Sequence, residues 1–254
     1  MAAQSKTRAK GAKKPAPKTA RSKGASTSGL ITKARRRVRR WVLLGVGGVV
    51  VLSVLWTLLY AVISPPTTPY MIAESRRLGG ISQDWVSMDE IAPIMARAVV
   101  AAEDANFCLH WGLDVNAIQR AADTGVGGAS TISQQVVKNV FLWQGRSWLR
   151  KALEAVWTPL AEALWSKRRI VEIYLNVAEF DEGVFGVQAA ARHYFGVDAA
   201  DLNRTQAARL AAILPAPKNR SASNPSSFTR NRAAAILSGA DTIAADGRAA
   251  CFES

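Results

Sequence analysis

The sequence predicts a mainly α-helical domain carried behind one N-terminal transmembrane helix. Three observations support this. Residues 41–63 form a run of 23 without a charge. The chain beyond repeats apolar residues at helical spacing. Alternating, strand-like runs are scarce, and there is no internal repeat.

Taken in order, residues 1–40 carry 14 Lys or Arg and no acid, so the remaining 19 basic residues balance the 19 acids. The net charge of +14 therefore sits in a tail rich in Ala, Lys, Ser and Pro, expected to be disordered. The rest is neutral overall, so nucleic acid is not the expected partner. Residues 41–63 are long enough to cross a hydrocarbon core of ~30 Å. Arg35, Arg36, Arg37, Arg39 and Arg40 precede them, which places the N-terminus in the cytoplasm and the rest of the chain across the membrane. A cleaved signal peptide is the alternative; the run is long for one, and no small-x-small site follows. Residues 64–85, opening Ser-Pro-Pro-Thr-Thr-Pro, read as a stiff linker that lifts the domain off the bilayer.

Helices are expected over 89–102, over 148–165 with a bend at Pro159, over 170–177, over 187–194 and over 205–214, where Pro215 and Pro217 stop the last. The folded domain is expected over 86–240, with 241–254 as a C-terminal tail too short for another domain. Cys108 and Cys251 do not by themselves establish a disulfide; Cys108 is expected to pack as a small hydrophobe. With His110 and His193 they have no zinc-ligand spacing.

The chemistry-bearing stretch is Gly128-Ala-Ser130-Thr131-Ile-Ser-Gln134-Gln135-Val-Val-Lys138-Asn139. Gly128 permits close backbone approach, and Ser130 or Thr131 can cap a helix whose first N–H groups attract anionic oxygens. Gln134 and Lys138, four apart, share a helix face. On these residues alone, an ordinary capped amphipathic helix is an equal reading.

Four further motifs accompany it. Upstream lies Glu103-Asp104-Ala-Asn-Phe107-Cys-Leu-His110-Trp-Gly112-Leu-Asp114. Downstream lie Arg150-Lys151-Ala-Leu-Glu154, then Glu172-Ile-Tyr-Leu-Asn176, then Gly183-Val-Phe-Gly186-Val-Gln-Ala. In this order the five motifs resemble the peptidoglycan glycosyltransferases, and among them the monofunctional members of Gram-negative bacteria. The resemblance runs from about residue 86 to about residue 237. It implies a lysozyme-like bilobed domain that polymerises lipid II into β-1,4-linked glycan by inverting transfer, releasing undecaprenyl diphosphate. It also implies a single-pass protein of the cell inner membrane with a periplasmic domain. Lipid II, the growing strand and the membrane are its partners, and other cell-wall synthesis or division proteins are candidates. Asp181 stands where the family usually has glycine, and Gln206 near a usual Glu. There is no Ser-x-x-Lys and no Lys-Thr-Gly, so transpeptidase activity is not expected.

Such a transfer needs a base at the attacking hydroxyl and positive charge at the departing diphosphate. Glu103 is the expected base: it ends an apolar run, with the like charge of Asp104 beside it, and both effects raise a carboxyl pKa. A solvated helix-end pair is its bland alternative. The diphosphate falls to Ser130, Thr131, Gln134, Lys138, Asn139, Arg150 and Lys151. Glu154 is, by resemblance, the second essential carboxylate, orienting the cations or helping a divalent cation (Mg or Mn) at the diphosphate; no metal ligand is certain. Asp104, Phe107, His110, Gly112, Asp114, Gln135, Glu172, Asn176, Gly183 and Gly186 are read as shaping the motifs. Residues 167–169, Lys-Arg-Arg, read as a solvated charge run. Phe141, Leu142, Trp143, Trp148 and Leu149 are either core or a membrane-touching cluster.

Two other functions compete. A lytic transglycosylase or lysozyme-like hydrolase would need a general acid and no diphosphate cradle. A non-catalytic membrane-anchored scaffold would not need Glu103, Lys138 and Glu154 together.

Overall fold

The computed structural model describes Met1 and residues 27–124, 130–145 and 147–253. Gly128 lies outside them, as does most of the basic tail. The chain divides into two compact units, Met1–Val50 and Val51–Ser254. Helix α1, Thr27–Val62, includes a span long and apolar enough to cross a membrane, Ala34–Val62. In the first unit its apolar side chains, Trp41, Leu43 and Val49 among them, are exposed, as lipid-facing residues are.

In the second unit the last turns of α1 are packed against protein. Thr57 is fully buried: its hydroxyl accepts the Trp157 indole N–H at 2.9 Å, and its carbonyl accepts that of Trp165 at 2.7 Å. Phe141 stacks on Trp157 with centroids 4.7 Å apart and meets Trp56 edge-on at 5.7 Å. Arg169 donates to the Tyr60 carbonyl at the helix end. The expected linker is short, because Thr68 caps helix α2, Pro69–Leu78, with Pro at its first turn, where a missing N–H costs nothing. The segment from Thr68 onward is thus part of the folded unit and not an extended spacer.

Helix α3, Pro93–Glu103, starts later than its apolar spacing suggested. Pro93 disfavours helical backbone at Ala92, so a 3₁₀ turn at Met88–Glu90 precedes it and the chain is extended between. α3 packs with α9 (Arg204–Ile213) and α10 (Ser227–Ala245) around Met95, Val99, Leu210 and Ile236. The second group is α5 (Ile132–Phe141) against α6 (Trp148–Leu164) and α7 (Lys167–Val177). Pro159 lies inside α6 without ending it. Helices α4 (Val115–Thr124) and α8 (Val187–Phe195) complete the main set.

A three-stranded sheet of order β1-β3-β2 joins Ser82–Gln83, Val184–Phe185 and Glu179–Asp181. β1 is parallel to β3, and β2 is antiparallel to it. Gly186 follows at φ 83°, where a Cβ would sit 2.9 Å from the Asn176 carbonyl oxygen; only glycine fits there. Asp181 needs no such freedom. It accepts from the Tyr194 hydroxyl at 2.9 Å, and all non-glycine residues described have negative φ.

The C-terminal residues are not a tail. α10 runs to Ala245, and the short helix α11, Ala250–Glu253, buries Phe252 completely. A disulfide joins Cys108 to Cys251, so Cys108 does not pack as a free small hydrophobe.

Candidate active site

Glu103 is the last residue of α3, where the helix delivers it to the cleft. Its two oxygens differ. Oε2 accepts the Gln135 amide N–H at 3.0 Å, whereas Oε1 is buried without a hydrogen-bond partner. Burial pushes the carboxyl above the ordinary range; Gln135, Arg232 and Lys138 pull the other way, and Asp104 adds the smallest push. The dry environment therefore dominates, and the neighbouring acid contributes little.

Asp104 has another task. Its oxygens take the His110 ring at 2.8 Å and the Ile132 backbone N–H at 3.0 Å. Phe107 is fully buried and meets His110 edge-on, and Lys167 lies 4.2 Å above the Phe107 ring. Gly112 has φ 82° and no room for a Cβ, which would lie 2.7 Å from the Thr158 methyl. Asp114 accepts from the Ala117 N–H and from Asn106, which hold its carboxyl below the usual value and cap α4.

The start of α5 departs from expectation. Thr131 and Gln134 form a reciprocal capping box: the Thr131 hydroxyl accepts from the Gln134 N–H at 3.2 Å, and the Gln134 side chain accepts from the Thr131 N–H at 3.1 Å. The Thr131 hydroxyl also donates to the Gly112 carbonyl. Gln134 thus turns back onto its own helix and does not share a ligand face with Lys138, and Gln135 takes the place beside Glu103. With Ile132 held by Asp104, three N–H groups at this helix start are engaged by protein. Positive charge for an anion must come from side chains.

Those side chains converge. Glu154, 2% exposed, pairs with Arg150 and, at 2.9 Å, with Lys151. Lys151 also reaches the Ser130 hydroxyl at 3.3 Å. Burial lowers the pKa of Lys138, and Arg150 lowers it further; Lys151 is lowered by burial, then by Arg150 and Lys138. Three cations thus crowd together in a half-dry cleft, with Glu154 holding two of them. Asn139 accepts from Gln144 at 3.2 Å. A cavity of about 180 Å³ is lined by Gln135, Lys138, Asn139, Tyr174, Glu179 and Tyr70, among others. A second, of about 150 Å³, borders Glu103, Ser130 and Thr131.

Glu172 and Asn176 are structural. Asn176 clamps Val86 through both its backbone groups at 2.9 Å, and Glu172 pairs with Arg169. The residues 167–169 are not a solvated run: Lys167 bonds Glu162 and the His110 carbonyl, and Arg168 bonds Asp89. The aromatic cluster divides. Phe141 and Leu142 are core, while Trp148 is 93% exposed and Trp143 and Leu149 are also open. Gly183, at φ 74°, admits the close approach of Leu78. Arg232, which sequence reasoning did not single out, faces Glu103 from α10. No local spacing could reveal it, since 130 residues separate it from Ala102, whose carbonyl it approaches.

Among the described residues no group of three or more His, Cys, Asp or Glu could hold a metal ion, and Glu154 is already engaged by two cations.

A sequence model of the family described as transglycosylase matches residues 72–241. A biosynthetic peptidoglycan transglycosylase of Jannaschia sp. (strain CCS1) is 57% identical over 231 residues, covering 91% of this chain and 95% of that protein. The protein of the same name from Xanthomonas oryzae pv. oryzae is 48% identical, covering 78% and 86%. That from Caulobacter vibrioides is 44% identical, covering 85% and 97%.

Proposed function

The chain belongs to the transglycosylase family, and on that premise we propose how its side chains build glycan strands. It is a peptidoglycan glycosyltransferase that polymerises lipid II. Glu103 accepts the proton of the acceptor's 4-hydroxyl at its unpaired oxygen Oε1 while that hydroxyl attacks the donor's anomeric carbon. The bond to the diphosphate breaks on the opposite side, inverting the centre, and undecaprenyl diphosphate leaves with the electron pair. Lys138, Arg150 and Lys151 neutralise the charge that develops there; Glu154 orients the last two.

One observation carries this reading: Lys138 and Lys151, both partly dehydrated, are held against the repulsion of Arg150, and Lys138 also faces the buried carboxylate of Glu103, whose Oε1 is free. That pairing suits an anionic leaving group. A hydrolase acting on unactivated glycan would need a proton donor there instead.

We also place the protein in the inner membrane as a single-pass anchor, N-terminus inside. The arginines before the apolar run support that orientation. The Cys108–Cys251 disulfide suits an oxidising outer compartment for the domain. The open Trp143, Trp148 and Leu149 supply a surface for lipid, from which the substrate must be drawn.

The test is direct. Purified full-length protein with lipid II should yield polymer, and Glu103→Gln should lower the rate by about 10²–10⁴-fold. Cleavage of preformed glycan without synthesis would overturn the proposal.

A further inference from the structure

We infer that Arg232 is a positioning residue that keeps Glu103 ionised while leaving its reactive oxygen free; this rests on the reading of Glu103 as the base. Arg232 Nη2 lies 3.9 Å from Glu103 Oε1 and approaches the Ala102 carbonyl, in the last turn of α3, at 3.4 Å. Glu103 Oε1 and Arg232 Nε are both buried without a hydrogen-bond partner. A distance of 3.9 Å is beyond hydrogen-bonding reach yet well within Coulombic reach. The guanidinium therefore favours the carboxylate without occupying the lone pair that must take the proton. A tight, bidentate pair would do the opposite: it would block Oε1 and weaken it as a base.

The other groups facing Glu103 cannot substitute. Asp104, on its own segment, repels it; Gln135 on α5 is neutral and bonds Oε2; Tyr174 on α7 is fully buried, its hydroxyl held protonated well above its usual range. Lys138, also on α5, belongs to the cation cluster, and a bound diphosphate offsets its charge. Arg232 stands outside that cluster and acts on Glu103 through the whole cycle. Its helix is held close. Gly239, seven residues along α10 and on the same face, lies where an added Cβ would come within 3.2 Å of Ala101.

The experiment is the pH profile of kcat/KM on lipid II for the full-length protein, Arg232→Gln, Arg232→Lys and Glu103→Gln. Arg232→Gln should move the acid limb up by about one to three units, with roughly tenfold loss per unit below it and little loss at the alkaline plateau. Arg232→Lys should bring the limb back toward the wild-type position. A uniform loss at every pH with the limb unmoved, or no change at all, overturns the inference and leaves Arg232 a packing residue. Glu103→Gln separates the two levels. If it still polymerises, the base assignment itself fails; if it is inactive while Arg232→Gln leaves the limb in place, only the role of Arg232 fails.

Discussion

Replacing the proposed base should make the protein more stable as well as inactive. In Glu103→Gln the shape is kept, and the Gln135 amide can still donate to the remaining carbonyl oxygen. What disappears is a charge whose second oxygen is buried without a partner. The amide NH2 that takes its place is equally unpaired, so only the cost of the buried charge is relieved, on the order of 1 kcal/mol for each unit by which the carboxyl is raised. The attraction of Arg232 and Lys138 does not outweigh that burial, because the carboxyl is pushed up and not down. The gain near neutral pH should therefore be on the order of 1 kcal/mol, at about 2–4 °C per kcal/mol for a domain of this size. Its pH dependence has a fixed sign. With a raised native value, the folded protein takes up the proton at higher pH than the unfolded chain, so the wild type is penalised above that value. The penalty fades as pH falls toward the ordinary carboxyl range of about 4.3. Thermal melts of wild type and Glu103→Gln in detergent should differ most at about pH 7.5 and converge at about pH 4.5. A mutant that melts below the wild type at neutral pH would refute the claim that the site holds its base at a cost in stability.

The disulfide closes a loop of 143 residues, and Cys251→Ser should lower unfolding free energy by about 2–5 kcal/mol. Denaturant midpoints that are unchanged by the mutation would show that α11 contributes nothing as a brace. Lys138→Ala should weaken a phosphoglycolipid inhibitor of the moenomycin type, which by family resemblance mimics the donor's phosphate. The loss of one charge-assisted contact is about 1.5–3 kcal/mol, roughly 10- to 150-fold in affinity. Full-strength binding would remove α5 from the phosphate site.

Most helices were legible because apolar residues recur at helical spacing, as in α7, or because a stop signal follows, as Pro215 does after α9. Where the reading slipped, a local signal was often present. Thr68-Pro69 is a cap followed by Pro at the first turn, and it starts α2 inside the supposed linker. Thr131-x-x-Gln134 is a capping box, which is why Gln134 turns away from Lys138 and Gln135 serves Glu103. Other features had no local signal. Arg232 meets Glu103, and Cys251 meets Cys108, only because α10 and α11 return across the start of the domain.

The pairing of Glu103 with Asp104 now has a physical account that differs from mutual repulsion. A displacement reaction needs its base and its leaving-group site at a fixed separation, since small misplacements of reacting groups lower rates steeply. Here the base sits at the end of α3 and Lys138 on α5, two helices separated in sequence by α4 and by loops that include residues outside the described set. Asp104 ties them together: one oxygen holds His110 within the loop, and the other takes the Ile132 N–H at the first turn of α5. Gln135 makes the second tie, from α5 to Glu103 itself. The Ile132 N–H that Asp104 satisfies is among those a helix start leaves open, so this bond strengthens α5 while it sets its distance from the base. The carboxylate next to the base is thus a structural link between the proton acceptor and the cations, and the small electrostatic push it gives Glu103 is incidental.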